Sequence, residues 1–138
     1  MTIAESQQQI VEEFALFTDW MEKYEYLIEL GKALPPYPQE KKREENLIAG
    51  CQSRVWLHVQ NEDGVLTFAA DSDAIITKGI ISLLINVFSG HTPNEILEAN
   101  LYFIDQIGLR EHLSPTRANG LLSMIKQIKM VAMAYGNR

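Results

Sequence analysis

Apolar residues recur at helical spacing at both ends of this chain and alternate in its middle. Thr2 and Glu5 have the spacing of a capping box, and Ile10, Val11, Phe14 and Phe17 follow on one face. Asp19 is placed to cap a second helix with Trp20, Met21, Tyr24, Leu27 and Ile28 on its apolar side. Gly31 suits the left-handed position just past its end. Pro35, Pro36 and Pro38 cannot continue a helix, so residues 33–46, with their charged run, read as an exposed, extended loop. From Arg54 to Gln60 the period changes to two, with Val55, Leu57 and Val59 on one side. Asn61-Glu62-Asp63-Gly64 is a hairpin turn, Val65 to Ala70 the return strand, and residues 46–49 a short third strand. Ser72 or Asp73 caps the next helix, which is apolar nearly all round through Val87 and therefore central to the core. Thr92-Pro93-Asn94-Glu95 and Ser114-Pro115 start two more helices. Leu121, Leu122, Ile125, Ile128, Val131 and Tyr135 form the buried face of the last one. Gly120 inside it costs roughly 1 kcal/mol against alanine, which points to a close backbone approach.

Helices at both ends and a small sheet between them predict an α+β domain. With 138 residues, no internal repeat and no Gly/Ser linker, a single domain over 1–138 is expected. The net charge of −6, without a basic stripe, argues against nucleic acid. It also predicts a docking partner that is basic in places, and a complex weakened by salt. The longest apolar stretch, 80–88, is too short to span a membrane, and the polar, acidic N-terminus is no secretory signal. A soluble, cytoplasmic protein is the expectation. One cysteine excludes an internal disulfide and a thiolate cage for zinc or an iron–sulfur cluster.

That cysteine is the first candidate for chemistry. Gly50 lets the chain turn sharply and present the Cys51 sulfur at a loop tip. Gln52 and Ser53 are polar where a core segment would be apolar, and Arg54 is near enough to favour the reactive thiolate. A lone thiol has no resolving neighbour, so whatever it picks up must pass to another molecule. A Cys–His nucleophile would need an imidazole in reach. His58 lies seven positions along a strand, roughly 23 Å away if extended; His91 sits in a turn; His112, just before the last helix, is placed to approach. Asp71 and Asp73 read chiefly as helix-capping charges. Arg117 occupies a first helical turn, where a cation opposes the dipole, which suggests it faces a carboxylate or a substrate anion.

Taken in order, these motifs resemble the SufE/CsdE family of sulfur acceptors for cysteine desulfurases. The match runs through Leu30-Gly31-Lys32-Ala33-Leu34-Pro35 and through Asn46 to Leu57 with its Gly-Cys-Gln-Ser and Val-Trp. It continues through Asp71-Ser72-Asp73-Ala74, Lys78-Gly79, Ser89-Gly90, Thr92-Pro93, His112 to Arg117 and Gly120-Leu121. The resemblance implies a fold shared with iron–sulfur scaffold proteins, a small antiparallel sheet with helices packed on one side. It implies that Cys51 accepts sulfane sulfur from a pyridoxal-phosphate-dependent cysteine desulfurase of the SufS/CsdA type, stimulates that enzyme, and delivers sulfur to an iron–sulfur assembly complex. Asp73, Arg117, Gln52 and His112 then become residues of the loop pocket or the interface. The pyridoxal phosphate belongs to the partner, and no cofactor is expected on this chain. Two other classes remain open: a cysteine-dependent hydrolase or thioesterase, and a non-catalytic regulator of a desulfurase.

Overall fold

The computed structural model describes residues 1–136. Among these, six helices and one hairpin follow in the order α1 (Ile3–Phe14), α2 (Trp20–Lys32), β1 (Val55–Glu62), β2 (Val65–Ser72), α3 (Ile75–Phe88), α4 (Pro93–Glu98), α5 (Phe103–Gln106) and α6 (Pro115–Gly136). Short 3-10 turns span Gln39–Lys41, Glu44–Asn46 and Arg110–His112. The α+β expectation holds, with a two-stranded antiparallel sheet.

Three of the helix starts cap as the sequence predicts. Thr2 and Glu5 close a reciprocal box on α1, Thr92 and Glu95 another on α4, and the Asp19 carboxylate accepts the Glu22 N–H on α2. The hairpin turns over Asp63 and Gly64, both at positive φ (54° and 87°), the primed geometry that matches strand twist. Pairing in register Val55↔Ser72, Leu57↔Ala70 and Val59↔Phe68 puts the apolar side chains of both strands on one face, and α3 packs across it. Ile80, Ile81, Leu84, Val87 and Phe88 of α3 are all but excluded from water, so α3 is the axis of the core. Each such side chain contributes about 1.5–3 kcal/mol of burial.

Three expectations fail for identifiable reasons. Gly31 does not end α2; it lies inside the helix, buried, where a Cβ would come within 3.0 Å of the Gly79 nitrogen on α3. A Cβ on Gly79 would stand 2.2 Å from the Leu27 carbonyl oxygen. The two glycines are spent on bringing α2 and α3 together, not on a left-handed cap. The third strand is a single bridge, Leu47↔Trp56, because the Glu44–Asn46 turn takes one end of it and the bend at Ala49-Gly50 the other. On α6 the buried residues are Gly120, Leu121, Met124, Ile128 and Ala132. Leu121 and Ile128 are buried as expected, and Ile125, Val131 and Tyr135 pack partly buried against the core, but Leu122 is 49% exposed, because the helix presents the Gly120–Met124 side inward instead.

Segment 33–46 is less extended than its prolines suggest. Its two 3-10 turns fold it back over the outer face of the hairpin, Tyr37 is buried, and the Tyr37 hydroxyl and Asn46 amide both donate to the Lys41 carbonyl (3.1 and 2.7 Å). Lys42 reaches across this face to the Asp71 carboxylate (3.0 Å) and lies over the Trp56 ring (5.1 Å), with Lys78 on the other oxygen of Asp71 (3.3 Å). At the opposite end of the molecule the buried amide of Gln7 ties α1 to the segment before α5. It donates to the Asn100 carbonyl and accepts from the Tyr102 and Phe103 N–H groups.

Candidate functional site

Cys51 stands on a six-residue excursion, 49–54, that leaves and re-enters the fold through one neck. The Ile48 N–H donates to the Val55 carbonyl (2.9 Å) on one side of the neck. Opposite, the hairpin end holds Arg54 by its backbone: its N–H donates to the Asp73 carboxylate (3.0 Å), and its carbonyl accepts from the Ser72 hydroxyl (2.9 Å) and the Asp73 N–H (3.2 Å). Ser72 and Asp73 are therefore not the caps of α3 that their position suggests. Ala74 occupies the cap position, with no side-chain cap, because both polar side chains are engaged at the neck.

Beyond the neck the loop is held lightly. Gly50 has φ +88°, a conformation in which a side chain is strained, and a Cβ there would come within 2.5 Å of the Ser123 hydroxyl on α6. The half-buried Cys51 thiol points at the Gly120 carbonyl (Sγ to O 3.7 Å), a weak hydrogen bond. Among the described residues this is the one hydrogen bond that joins 49–53 to the rest of the protein. The sulfur packs against the backbone at Gly120, where a Cβ would sit 3.7 Å from it, at ordinary contact distance.

The sulfur lies on the wall of a cavity of about 360 Å³. The loop contributes Cys51, Gln52 and Ser53; Ala74, Thr77 and Ile80 come from the start of α3; Ser114, Thr116, Arg117, Gly120 and Met124 come from the start of α6. Gln52 and Arg117 thus share the cavity with the thiol. The Arg117 guanidinium has no carboxylate within salt-bridge distance among the described residues; its backbone N–H caps on the Ser114 hydroxyl (3.2 Å). Asp73 lines a neighbouring hollow that shares Ala74 with the cavity.

His112 is elsewhere. Its ring stacks on Trp20 (3.9 Å between centroids), Nδ1 lies 3.0 Å from the Gly108 carbonyl, and its own carbonyl accepts the Tyr24 hydroxyl. His58 borders a different hollow beside Gln127, and His91 is buried next to Glu95 and bridged to Leu66. None of the three imidazoles lines the cavity, so no Cys–His pair is assembled. Arg54 does not activate the thiol either: it is exposed, and burial alone acts on Cys51, pushing its pKa up. Residue patterning missed Thr77 and Met124. Sequence gives Thr77 no distinct signal, since α3 also carries Lys78, Ser82 and Asn86, and only packing shows that Thr77 is buried.

Among the described residues no three His, Cys, Asp or Glu side chains gather as a metal cage, and no helix is long and apolar enough to cross a membrane. A solution structure of a hypothetical protein from Thermus thermophilus superimposes with a TM-score of 0.78 over 96% of this chain and 97% of that one. At 22% identity this shows a common fold. An uncharacterized SufE-like protein of Rhizobium meliloti is 45% identical over 132 residues, covering 92% of this chain and 94% of its own. An uncharacterized SufE-like protein of a Synechocystis strain is 39% identical over 134 residues, covering 97% and 84%. Residues 8–132 match the family model described as SufE, the Fe–S metabolism associated domain. The chain with its thiol on a glycine bend belongs to the SufE family, among proteins associated with iron–sulfur metabolism.

Proposed function

We propose that this protein is a sulfur carrier: Cys51 takes one sulfur atom from the persulfide of a pyridoxal-phosphate-dependent cysteine desulfurase and hands it to an iron–sulfur assembly protein in the cytoplasm. The observation that carries this reading is the half-buried thiol on a lightly held bend, beside a cavity that it shares with Gln52 and Arg117.

The transfer is a thiol exchange. The Cys51 thiolate attacks the outer sulfur of the donor persulfide, forming an S–S bond as the donor's own S–S bond breaks. The donor cysteine leaves as thiolate, and Cys51 becomes Cys51–S–SH with no external oxidant or reductant. A second thiolate on the acceptor repeats the step. Burial keeps the resting thiol protonated at neutral pH, which protects it from small oxidants. Docking that draws the bend outward removes the cause of that shift and raises the thiolate fraction towards that of a free thiol, the proton going to solvent and being regained by the departing donor thiolate. Between encounters the cavity shelters the sulfane sulfur from small thiols, and the Arg117 guanidinium is placed to stabilise the terminal hydrosulfide as an anion.

Incubation with the desulfurase and cysteine is expected to add about 32 Da to the wild-type protein at Cys51 and nothing to Cys51→Ala, read by intact-mass spectrometry. An unmodified Cys51 under those conditions overturns the proposal. If Cys51→Ser still stimulates desulfurase turnover in full, the regulator reading takes its place.

A further inference from the structure

The charge of this chain is not spread over its surface. Residues 1–30 hold seven carboxylates and one lysine, whereas residues 31–138 hold eleven of each sign, so the whole net charge of −6 resides in the stretch that carries α1 and all but the last two residues of α2. On α2, Glu22, Glu25 and Glu29 recur at helical spacing along one edge of a groove of about 410 Å³ whose floor is Phe17, Tyr26 and Ile28. The floor is braced from below: Tyr26 meets Phe14 edge to face and lies tilted against Phe17, and its hydroxyl donates to the Glu13 carboxylate (2.6 Å). Of the three rim carboxylates only Glu29 has a cation within salt-bridge distance among the described residues, the exposed Lys32 (3.6 Å). Like charges at this spacing repel, and no such ion pair offsets Glu22 or Glu25.

The groove also leads somewhere. Ile28 lines both the groove and the hollow that holds Asp73 and the exposed Ile75, and Ala74 lines both that hollow and the Cys51 cavity. A partner laid along α2 therefore reaches the thiol across continuous surface.

We infer that the α1–α2 groove docks the sulfur donor, through a segment of that protein carrying lysine or arginine beside an apolar side chain. The inference rests on the sulfur-carrier reading for the identity of the partner. The apolar side chain fills the aromatic floor, and the cation sits between the glutamates and over a ring face. The donor is the partner that the carrier reading requires at Cys51, and the surface runs from the groove through Ile28 and Ala74 to that thiol.

The test uses the donor desulfurase with cysteine, the rate of Cys51 persulfide formation, and a charge-neutral triple variant, Glu22→Gln with Glu25→Gln and Glu29→Gln. All three positions lie on the surface of α2, and its circular dichroism melt checks that the variant folds. At low ionic strength the concentration of carrier giving half-maximal rate should rise about tenfold, with the rate at saturation unchanged. At about 0.5 M salt the gap should close to within twofold. A control with Glu62→Gln and Glu98→Gln, two exposed acids outside the groove, should behave as wild type. Equal weakening of that control overturns the groove in favour of general charge, and so does a triple variant that saturates like wild type. A triple variant that changes only the oligomeric state, seen by light scattering, overturns it in favour of a second copy of this chain. Binding of the donor to Cys51→Ser, with and without the triple substitution, separates the two levels. Loss of binding through the groove while wild type never gains sulfur keeps the docking site and discards the carrier reading.

Discussion

Two contacts of this molecule are built on glycine and are held in opposite ways. Where α2 crosses α3, Gly79 meets the Leu27 carbonyl and Gly31 meets the Gly79 nitrogen, so backbone bears on backbone. Neither side has a rotamer with which to yield. At the bend, Gly50 meets the end of the Ser123 side chain, and the sulfur beside it makes one weak bond to a carbonyl. The first contact fixes the register of the core helix. The second lets the reactive residue leave its seat without disturbing that helix. The difference teaches that a reactive loop in a small domain needs a rigid frame close behind it, and here the frame is α3, whose first turns line the cavity.

The strongest way to break the contrast is Gly79→Ala. A methyl group 2.2 Å from a carbonyl oxygen forces the helices apart, and a loss of about 3 kcal/mol or more is expected, read as a shift in the urea midpoint. An unchanged midpoint would show that the crossing is not the lock described here. Asp71→Asn comes next, at about 1–2 kcal/mol, because it leaves Lys42 and Lys78 without their shared partner. Burial alone would raise the Asp71 pKa. The Lys42 contact, the Ser72 N–H and Lys78 outweigh it, and the folded value lies below the ordinary one. A carboxylate depressed by folding contributes stability that is present above its unfolded pKa of about 3.9 and fades as pH falls through the folded value. Urea titrations across that window should therefore show a smaller acid loss in Asp71→Asn than in wild type.

The bend should answer differently. Gly50→Ala is expected to cost about 1–2 kcal/mol globally, the strain of a Cβ at this φ, with the contact to Ser123 relieved as the loop shifts outward. Alkylation of Cys51 by iodoacetamide should become faster, as the displaced thiol is less buried. Smallest in energy, and opposite in sign, is Gly120→Ala. The new methyl group meets only the sulfur, at ordinary contact distance, so a gain of about 0.5–1 kcal/mol is expected. The same methyl narrows the seat of the thiol and should slow sulfur uptake. In wild type, the alkylation rate should climb with pH through a midpoint above the usual thiol value of about 8.5, because burial disfavours the thiolate. A midpoint at the usual value would mean that the bend already stands open in solution, and one below it that a nearby cation acts on the thiolate.

Much of this was legible in the chain because its signals are local. A capping box, a two-residue Asp-Gly turn and an alternating strand each act within a few residues, and all formed as the sequence dictates. The failures share the opposite property. Gly31 was read by its neighbours in sequence, yet its reason is Gly79, far along the chain. Ser72 and Asp73 look like helix caps until Arg54 claims them across the hairpin. His112 lies three residues before α6 and still stacks on Trp20 of α2 instead of approaching the thiol. In the site, Cys51, Gln52 and Arg117 were identifiable by type and position. The cavity itself, and Thr77 within it, needed the packing of α3 against α6 to exist.

The amide of Gln7 has a consequence for how the molecule is made. Its partners, Asn100, Tyr102 and Phe103, lie 93 to 96 residues downstream. During synthesis these three polar ties of α1 therefore stay unmade until Phe103 has left the ribosome, although Phe14 can pack on Tyr26 long before. The apolar stripe of the helix thus finds its neighbours early, and the amide that locks it in place closes late.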